Sequence, residues 1–387
     1  MKLIRYRGDI VDKKYKIQES PNWHLEAIGF LIEAATNRID SIIEKHNNFG
    51  KKKEEMEVYF KPYRDYKNKL LNEVMPVYDK YKKMKMIFEM EERLEKEDLN
   101  LGITLIQGIE QKYKRPLSKE NMDELIGDHI LDITRSLDED LEPKIHVTSL
   151  TQLVQLLENA DLSDGEKMLT ISLYQNRYEI IEEMQDFTEE VAPIFQGNFH
   201  IIEDEYRKTL EYLKKVGNFE NLIEKIIPMK LIKNIVGSIV LTVFPFGGLY
   251  MKYHKEDLWV TVGIYVFLLG NWKKERGFQG AELVSSLKAL GDETRLKIIN
   301  KVAERPMYIQ QLAEELDLTP ATISHHINLL LRSQLINLIV EADKAKKIYY
   351  EVNRDKLREL GSVIEALGDE DKGGLDFNGK AAQISIS

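Results

Sequence analysis

Apolar residues recur at helical spacing over most of the chain up to residue 214. The clearest pattern covers residues 23–46, and Gly50 follows it as part of a stop signal. Further patterns of this kind cover residues 115–133, 147–159, 162–191 and 198–214. A weak alternation suits an edge strand at residues 11–19. These patterns predict a mostly helical region over residues 1–270, and they leave open a subdivision near residue 145.

The most apolar part of the chain consists of residues 235–250 and 258–270. Pro245, Gly247 and Gly248 interrupt the first segment, and the second segment is shorter than the roughly 20 residues that a membrane-spanning helix needs. Both segments are rich in Val, Ile, Phe and Tyr, and polar residues separate them. We therefore expect two buried strands in a short β-hairpin and no membrane insertion.

Aromatic side chains are concentrated in the same part of the chain: Phe244, Phe246, Tyr250, Tyr253, Trp259, Tyr265 and Phe267. Two interpretations remain open for them. They form the core of the helical region, or they line part of a pocket for a hydrophobic or aromatic effector.

After residue 280 the apolar pattern divides into two helical stripes. The stripes consist of Leu283, Leu287 and Leu290, followed by Leu296, Ile299 and Val302. Between them, Gly291 is suited to end a helix and Asp292 to cap the next one. A shorter amphipathic pattern follows at residues 308–318, and Thr319 and Pro320 suit the cap and first position of another helix.

The helix that begins at Pro320 is followed by two β-prone segments and a last amphipathic pattern. Residues 335–353 predict a hairpin around ADKAKK, and residues 354–368 predict a helix. This succession is typical of a winged helix-turn-helix over residues 281–368. The charged, glycine-containing residues 271–280 are the predicted linker, and the polar residues 369–387 a flexible tail. The expected fold class is mainly α: a large helical N-terminal domain with a short β-hairpin, then a C-terminal winged helix-turn-helix with a small β wing.

Three separated segments of the C-terminal unit carry a family resemblance. LKALGDETRLKII, LAEELDLTPATISHHINLLLRSQLI and IYYEVN, in this order, resemble the ArsR family of bacterial transcriptional regulators. The resemblance covers residues 281–368 and implies a homodimer that binds double-stranded operator DNA. It also implies that the first and last helices of the unit build the dimer interface, and that a small effector changes operator affinity. For residues 1–280 it implies little.

The chain contains no cysteine, which excludes disulfides, thiolate metal sites and cysteine nucleophiles. Metal-sensing members of the ArsR family use cysteines beside the helix-turn-helix, so thiolate metal sensing is not expected here. The last helix, at residues 354–368, contains no histidine for a histidine–carboxylate site. We expect no metal and no cofactor, and the residues that would bind an effector are unknown.

A recognition helix must enter a major groove about 12 Å wide, so its outward residues should be short or polar. We expect DNA contacts from such residues and from lysines of the hairpin: Thr319, Pro320, Ala321, Thr322, Ser324, His325, His326, Arg332, Lys344, Lys346 and Lys347. For Arg332 and the three lysines, a solvated surface position is the alternative.

His325 and His326 are adjacent in the predicted recognition helix. Neighbouring helical residues diverge by about 100°, so the pair does not converge on one metal ion as an i,i+4 pair would. No activated nucleophile accompanies them, so we expect no catalysis. DNA contact by at least one of the two is the preferred hypothesis, with packing or solvation of at least one as the alternative.

Charge is compatible with local DNA binding. The net charge of −10 argues against indiscriminate coating of nucleic acid. Residues 281–368 are close to neutral, and residues 319–340 contain no acid and one arginine. We therefore expect a moderate dependence of DNA affinity on salt. The absence of cysteine and of an apolar run after the charged start fits a cytoplasmic protein.

Residues 1–270 offer no comparable motif. Asp128, His129 and Asp132 are a weak candidate metal cluster, and no phosphate-binding loop or nucleophile elbow is present. The expected function is a sequence-specific transcriptional regulator that responds to a small-molecule or protein effector. One alternative is an interaction protein that keeps the winged helix for dimerisation; another is an enzyme in residues 1–270, which we do not expect.

Overall fold

The structure is a computed structural model. It describes residues 15–36, 38–92, 101–113, 115–134, 147, 149–158, 160, 162–216, 229–231, 236–244, 246–254, 257–276, 280–340 and 348–367.

Helices form most of the N-terminal part. They are α1 (Trp23–Thr36), α2 (Arg38–Glu44), α3 (Lys53–Tyr59), α4 (Lys61–Tyr78), α5 (Lys82–Glu92), α6 (Leu101–Lys112), α7 (Lys119–Thr134), α8 (Leu150–Glu158), α9 (Asp164–Gln175), α10 (Arg177–Asn198), α11 (Glu203–Lys215) and α12 (Val266–Arg276). Short 3-10 helices lie at His46–Phe49 and Phe199–Ile201. The mainly α fold class is confirmed. Within the described residues, no helix has both the length and the apolar character needed to cross a membrane.

The strands form two sheets. They are β1 (Tyr15–Gln18), β2 (Met229–Leu231), β3 (Val236–Thr242), β4 (Leu249–His254), β5 (Asp257–Gly263), β6 (Ile336–Val340) and β7 (Ile348–Val352). The N-terminal sheet has the order β1-β3-β5-β4, in which β1, β3 and β5 are parallel and β4 is antiparallel to β5. The predicted edge strand is therefore confirmed at β1, although residues 11–14 lie outside the described part.

The predicted hairpin differs from the observed sheet in two respects. The first predicted strand, 235–250, contains β3 and only the start of β4, and the hairpin itself is formed by β4 and β5. The second predicted strand, 258–270, ends at Gly263 and continues as α12, where Val266, Phe267, Leu269 and Trp272 are buried at helical spacing. A short apolar run fits a strand or a buried helix equally well, because its periodicity does not separate the two.

Helix α1 is fixed against the end of β3 by a buried carboxyl group. The Glu26 side chain accepts hydrogen bonds from the backbone N–H groups of Val243 at 2.7 Å and Phe244 at 3.0 Å. Burial raises the pKa of Glu26 to about 8, against the opposing effect of these two N–H groups. At Gly29 a Cβ atom would lie 2.3 Å from the carbonyl oxygen of Phe244, so only glycine permits this close approach.

The aromatic residues around β3 and β5 lie mostly in the N-terminal core. Phe246 contacts Tyr63, Phe60 and Tyr265, with ring centroids 4.8, 5.0 and 5.0 Å apart. Phe244 and Phe267 are also buried, whereas Tyr250 and Trp259 are half-buried, and the side chain of Tyr253 lies outside the described part. This arrangement favours the interpretation of these side chains as core over the effector pocket.

The C-terminal unit consists of five further helices and a hairpin in the described residues. The helices are α13 (Gly280–Leu290), α14 (Glu293–Glu304), α15 (Ile309–Leu316), α16 (Pro320–Arg332) and α17 (Arg354–Leu367). Strands β6 and β7 pair antiparallel between α16 and α17. Met307 forms a bridge to Tyr350 on β7, with N–H···O distances of 3.0 and 2.8 Å. Helices, hairpin and last helix together form a winged helix-turn-helix, as the sequence pattern predicts.

The buried apolar residues form two hydrophobic cores, drawn from different parts of the sequence. The first extends from Tyr15 to Trp272, and the second from Leu283 to Val363. The predicted linker, 271–280, is helical up to Arg276 because Trp272 packs into the first core and extends α12. Residues 277–279 lie outside the described part.

One strand of the N-terminal part pairs with the wing. β2 runs parallel to β6, which gives a second sheet with the order β2-β6-β7. No feature of the sequence predicted this pairing.

Candidate nucleic-acid interface

The turn between α15 and α16 is built by local hydrogen bonds. Asp317 ends α15 with a φ of 53°, in the left-handed region, and Leu318 donates its N–H to the carbonyl oxygen of Ala313 at 3.0 Å. Thr319 then caps α16, because its Oγ1 accepts the N–H of Thr322 at 3.2 Å. Pro320 occupies the first turn of α16, where no N–H donor is needed. The tight turn fixes the direction in which α16 leaves α15.

The inner side of α16 is held by apolar contacts. Ile323, Ile327 and Leu330 are at most 1% exposed and belong to the second core. Through this side α16 lies against α14, α15 and β6. Burial of each such side chain contributes about 1.5–3 kcal/mol, so the outer side is presented at a fixed position.

The outer side of α16 is short and polar. The exposed residues are Thr319, Pro320, Ala321, Thr322, His325, Asn328 and Arg332, and Ser324 is half-buried. Ala321, His325, Asn328 and Arg332 follow one another at spacings of four, three and four, so they form one line along the helix. Apart from Ser324 and His326, the helix residues chosen from the sequence as DNA contacts therefore lie on the exposed side.

Asn328 was missed in the sequence analysis. It lies on the exposed line between His325 and Arg332. The spacing alone provided the signal, because an i,i+3,i+7 series from His325 passes through positions 328 and 332.

His325 and His326 point in different directions. Their ring centroids are 5.8 Å apart with an interplanar angle of 68°. His325 is exposed, whereas the His326 side chain is 15% exposed and its Nδ1 lies 3.7 Å from Oδ1 of Asp292. The two rings therefore occupy different environments, and His326 faces the start of α14 rather than the open side.

Asp292 lies between His326 of α16 and the end of α13. Its Oδ1 accepts the backbone N–H of Arg295 at 2.9 Å, and this hydrogen bond is the main reason why the pKa of Asp292 lies below its ordinary value. The guanidinium of Arg295 donates to the carbonyl oxygens of Ala289 at 2.5 Å and Lys288 at 2.9 Å. Asp292 and Arg295 thus link the start of α14 to the last turn of α13, and Nδ1 of His326 lies beside this link at a distance too long for a hydrogen bond.

Acids close to the turn are partly neutralised. Glu315 on α15 lies 2.7 Å from Lys301 and 2.6 Å from Arg305, and the hydrogen bond from Lys301 is the main cause of its lowered pKa. Glu314 and Asp317 are exposed. Glu315 therefore adds little net negative potential beside α16.

The wing and the N-terminal candidates complete the sequence-based set. Lys344, Lys346 and Lys347 lie between β6 and β7, outside the described residues.

In the weak metal candidate, Asp128 lies 3.1 Å from Lys112, His129 is buried, and the side chain of residue 132 is outside the described part. No group of three or more histidine, aspartate or glutamate side chains among the described residues is arranged to hold a metal ion.

Comparison with known proteins identifies the C-terminal unit. The family model "Bacterial regulatory protein, arsR family" matches residues 292–337. An uncharacterized HTH-type transcriptional regulator of Methanocaldococcus jannaschii is 33% identical over 81 residues, which are 21% of this chain and 88% of that protein. The transcriptional repressor SdpR of Bacillus subtilis is 32% identical over 72 residues, 19% of this chain and 77% of that protein. No solved structure gives a significant match. Through its C-terminal winged helix-turn-helix, the chain belongs to the arsR family of bacterial regulatory proteins.

Proposed function

We propose that the chain is a sequence-specific transcriptional regulator that binds operator DNA as a homodimer and responds to an effector acting on its N-terminal part. One observation carries this proposal: the acid-free outer side of α16, held in place by a capped start and a buried apolar side. The named relatives of the same family are transcriptional regulators, which supports the same reading.

Each part of α16 suits one kind of DNA contact. The exposed helix start at Thr319 offers its backbone amides to a phosphate. His325 and Asn328 lie in the middle of the exposed line, and an asparagine amide forms two hydrogen bonds with an adenine edge in the major groove. The methyl group of Ala321 suits a thymine methyl. Arg332, at the helix end, suits a second phosphate.

His326 is assigned a different role. Its ring faces Asp292 across the start of α14 and is mostly buried. We infer that His326 positions α16 relative to α14 and does not contact bases. Among the sequence-based candidates it is the one whose placement changes its proposed role.

Exposed apolar side chains on α13 and α17 support the homodimer. Val284 and Leu287 on α13 are 40% and 43% exposed, and Ile364 on α17 is 44% exposed. Leu283 on α13 and Leu360 and Val363 on α17 are buried in the second core. Both helices thus have apolar residues on an inner and an outer side. A second copy of the unit would cover these outer sides. Soluble monomers rarely leave large apolar residues exposed as one contiguous patch.

The DNA-binding test begins with the full-length chain and fragmented DNA of the source genome. Bound fragments are sequenced to recover the operator. On that operator, His325→Ala and Asn328→Ala should each weaken binding by about 1–3 kcal/mol, because each removes hydrogen bonds to a base edge. Binding to unrelated DNA should change little, since that affinity comes from phosphate contacts. Fluorescence anisotropy on labelled operator and scrambled duplexes measures both.

Asn300→Ala is the matched control, because Asn300 is an exposed asparagine on α14, outside the proposed interface. Its affinity should equal that of the parent. Recovery of no preferred sequence at low salt would reject the proposed function and favour an interaction protein that keeps the winged helix. Parent-like operator affinity of both His325→Ala and Asn328→Ala would reject the assignment of α16.

The dimer is tested separately by Leu287→Glu combined with Ile364→Glu. Both side chains are exposed, so the monomer should stay folded, whereas burying two carboxylates in an interface is unfavourable. We expect the variant to sediment as a monomer and to lose most of its operator affinity, because a dimer doubles each DNA contact. Sedimentation velocity at several concentrations provides the measurement.

Met168→Glu serves as the control for a charged residue on an exposed apolar site, since Met168 is 57% exposed on α9 in the N-terminal part. This variant should sediment like the parent. A Leu287→Glu/Ile364→Glu variant that remains dimeric would remove α13 and α17 from the interface.

A further inference from the structure

Strand β2 occupies an edge of the wing. Met229, Lys230 and Leu231 pair with Leu338, Ile339 and Val340 of β6, in parallel register. The other edge of β6 pairs with β7, so β6 lies in the centre of its sheet. The wing therefore has an added strand that does not belong to the C-terminal unit.

The path of the chain shows where this strand comes from. β2 lies between α11 and β3 along the chain. Both neighbours belong to the first core, through Leu210 and Leu213 of α11 and Ile239 of β3. The N-terminal part thus extends one segment to the wing of the C-terminal unit and resumes its own sheet directly afterwards.

The register places β2 next to the end of the wing. Because the pairing is parallel, β2 runs in the direction of β6 and its Leu231 lies opposite Val340. Val340 is the last residue of β6, and the connection 341–347 that follows carries the lysines considered for DNA contact. The N-terminal part is therefore attached beside the portion of the wing that would approach DNA.

The winged helix fold does not require this strand. The relatives matched by the C-terminal unit are little longer than the unit itself, since 81 and 72 matched residues make up 88% and 77% of them. An unpaired strand edge readily accepts an additional strand through backbone hydrogen bonds. β2 is consequently an addition to a unit that is already complete. A role in regulating the wing fits this better than a role in forming it.

Charge indicates the direction of that control. Residues 1–280 contain 41 Lys and Arg against 48 Asp and Glu, so the part of the chain that β2 attaches to the wing is acidic. Negative charge held near the wing opposes the approach of DNA phosphates. The attached state should therefore bind DNA more weakly than the released state.

We propose that β2 is an intramolecular restraint on DNA binding: pairing of residues 229–231 with β6 holds the acidic N-terminal part beside the wing, and release of β2 raises operator affinity. This inference rests on the proposed function, because it concerns regulation of the same DNA-binding unit. A signal in the N-terminal core would act on the wing by moving α11 or β3, the two elements that flank β2.

The first test removes the backbone donors of β2. Proline has no N–H group and cannot donate to a strand ladder, so Met229→Pro, Lys230→Pro and Leu231→Pro are combined in the full-length chain. We expect operator binding about 5- to 150-fold tighter than that of the parent, the usual range of coupling between two sites. Replacement of the same three residues by alanine keeps every backbone N–H and should leave the affinity near that of the parent. Tryptophan fluorescence and circular dichroism confirm folding.

The second test locks β2 onto β6 with a disulfide that can be formed by oxidation and broken by reduction. Leu231→Cys and Val340→Cys place one thiol on each strand at directly paired positions. Neighbouring strands lie about 4.7–4.9 Å apart, a separation that a disulfide can span. The chain has no other cysteine, so oxidation affects this pair alone and leaves the parent unchanged. The oxidised variant should bind the operator at least about 5-fold more weakly than the reduced variant. Failure of the disulfide to form would contradict the register of β2 and β6, and overturn the proposal.

The outcomes separate this inference from the proposed function. If the parent and the triple-proline variant both lack a preferred DNA sequence, the proposed function fails. If the parent binds an operator through His325 and Asn328 but the triple-proline variant binds with the same or lower affinity, only the restraint is overturned. Tighter binding by the proline variant together with weaker binding after oxidation supports it.

Discussion

The N-terminal core is expected to lose about 4 kcal/mol of its free energy of unfolding between about pH 5 and about pH 9, because of the buried carboxyl group of Glu26. Burial raises the pKa of this group from 4.5 to about 8 in the folded protein. Between these two values the folded chain keeps a proton that the unfolded chain has released. The stabilising contribution is therefore complete below pH 4.5 and is lost as the pH rises through about 8.

Urea unfolding followed by tryptophan fluorescence measures this effect. All three tryptophans, Trp23, Trp259 and Trp272, lie in or against the first core, so the signal reports that core alone. In Glu26→Gln the pH dependence should become clearly smaller, and the part that remains includes Glu33, whose pKa burial also raises. The variant is less stable at low pH because an amide accepts only one of the two N–H groups. An equal pH dependence in parent and variant would contradict the raised pKa of Glu26.

Two comparisons isolate the contribution of Glu26. Glu182→Gln, at an exposed glutamate of α10, should retain the pH dependence of the parent. Glu110 has the opposite sign: burial raises its pKa, but hydrogen bonds from His24 and Asn22 and the charge of Arg115 outweigh burial and lower it to about 2. Its contribution is present above about pH 4.5 and is lost as the pH falls through about 2, below the tested range.

Ile327→Ala is expected to cost the C-terminal unit about 2–5 kcal/mol of stability. Ile327 is 1% exposed on the inner side of α16, and its truncation leaves a cavity in the second core. Operator binding should weaken as well, because the outer side of α16 is no longer held at a fixed position. Hydrogen exchange measured by mass spectrometry on peptides covering α15 and α16 reports the loss of stability.

The unfolding curve from tryptophan fluorescence should remain that of the parent, since the C-terminal unit contains no tryptophan. Leu296→Ala is the comparison at an exposed apolar residue of α14, which is 45% exposed, and should change stability by less than about 0.5 kcal/mol. If Leu296→Ala increased hydrogen exchange in α15 and α16 as much as Ile327→Ala does, burial of Ile327 would not be what holds α16.

The C-terminal unit could be predicted because its signals are local. A threonine cap, a proline at the first helical position and apolar residues at 323, 327 and 330 each act within one or two turns of helix. The same locality explains the success with the outward direction of His325. The environment of His326 could not be predicted from the sequence, because it depends on Asp292, which caps another helix.

The N-terminal sheet was predicted incompletely because its pairings join distant residues. β1 pairs with β3 across more than two hundred positions, and the parallel order follows from the helices between them and not from any local pattern. β2 is harder still, since a strand of three residues has no measurable periodicity and its partner lies more than a hundred positions later. Asn328, in contrast, could have been found by extending the helical spacing by one step.

The pairing of β2 with β6 also determines how freely the two parts of the molecule can turn. The C-terminal unit follows α12 along the chain, and Arg276 at the end of α12 forms an ion pair with Glu282 on α13. A body attached to another at one point can swivel in every direction, whereas attachment at two separated points leaves rotation only about the line that joins them. The pairing of β2 with β6 therefore restricts the relative motion of the two parts to rotation about a single axis. Because β2 is joined to the rest of the chain at both ends, its local concentration beside β6 is high. Three residues can therefore maintain a pairing that a free peptide of that length could not.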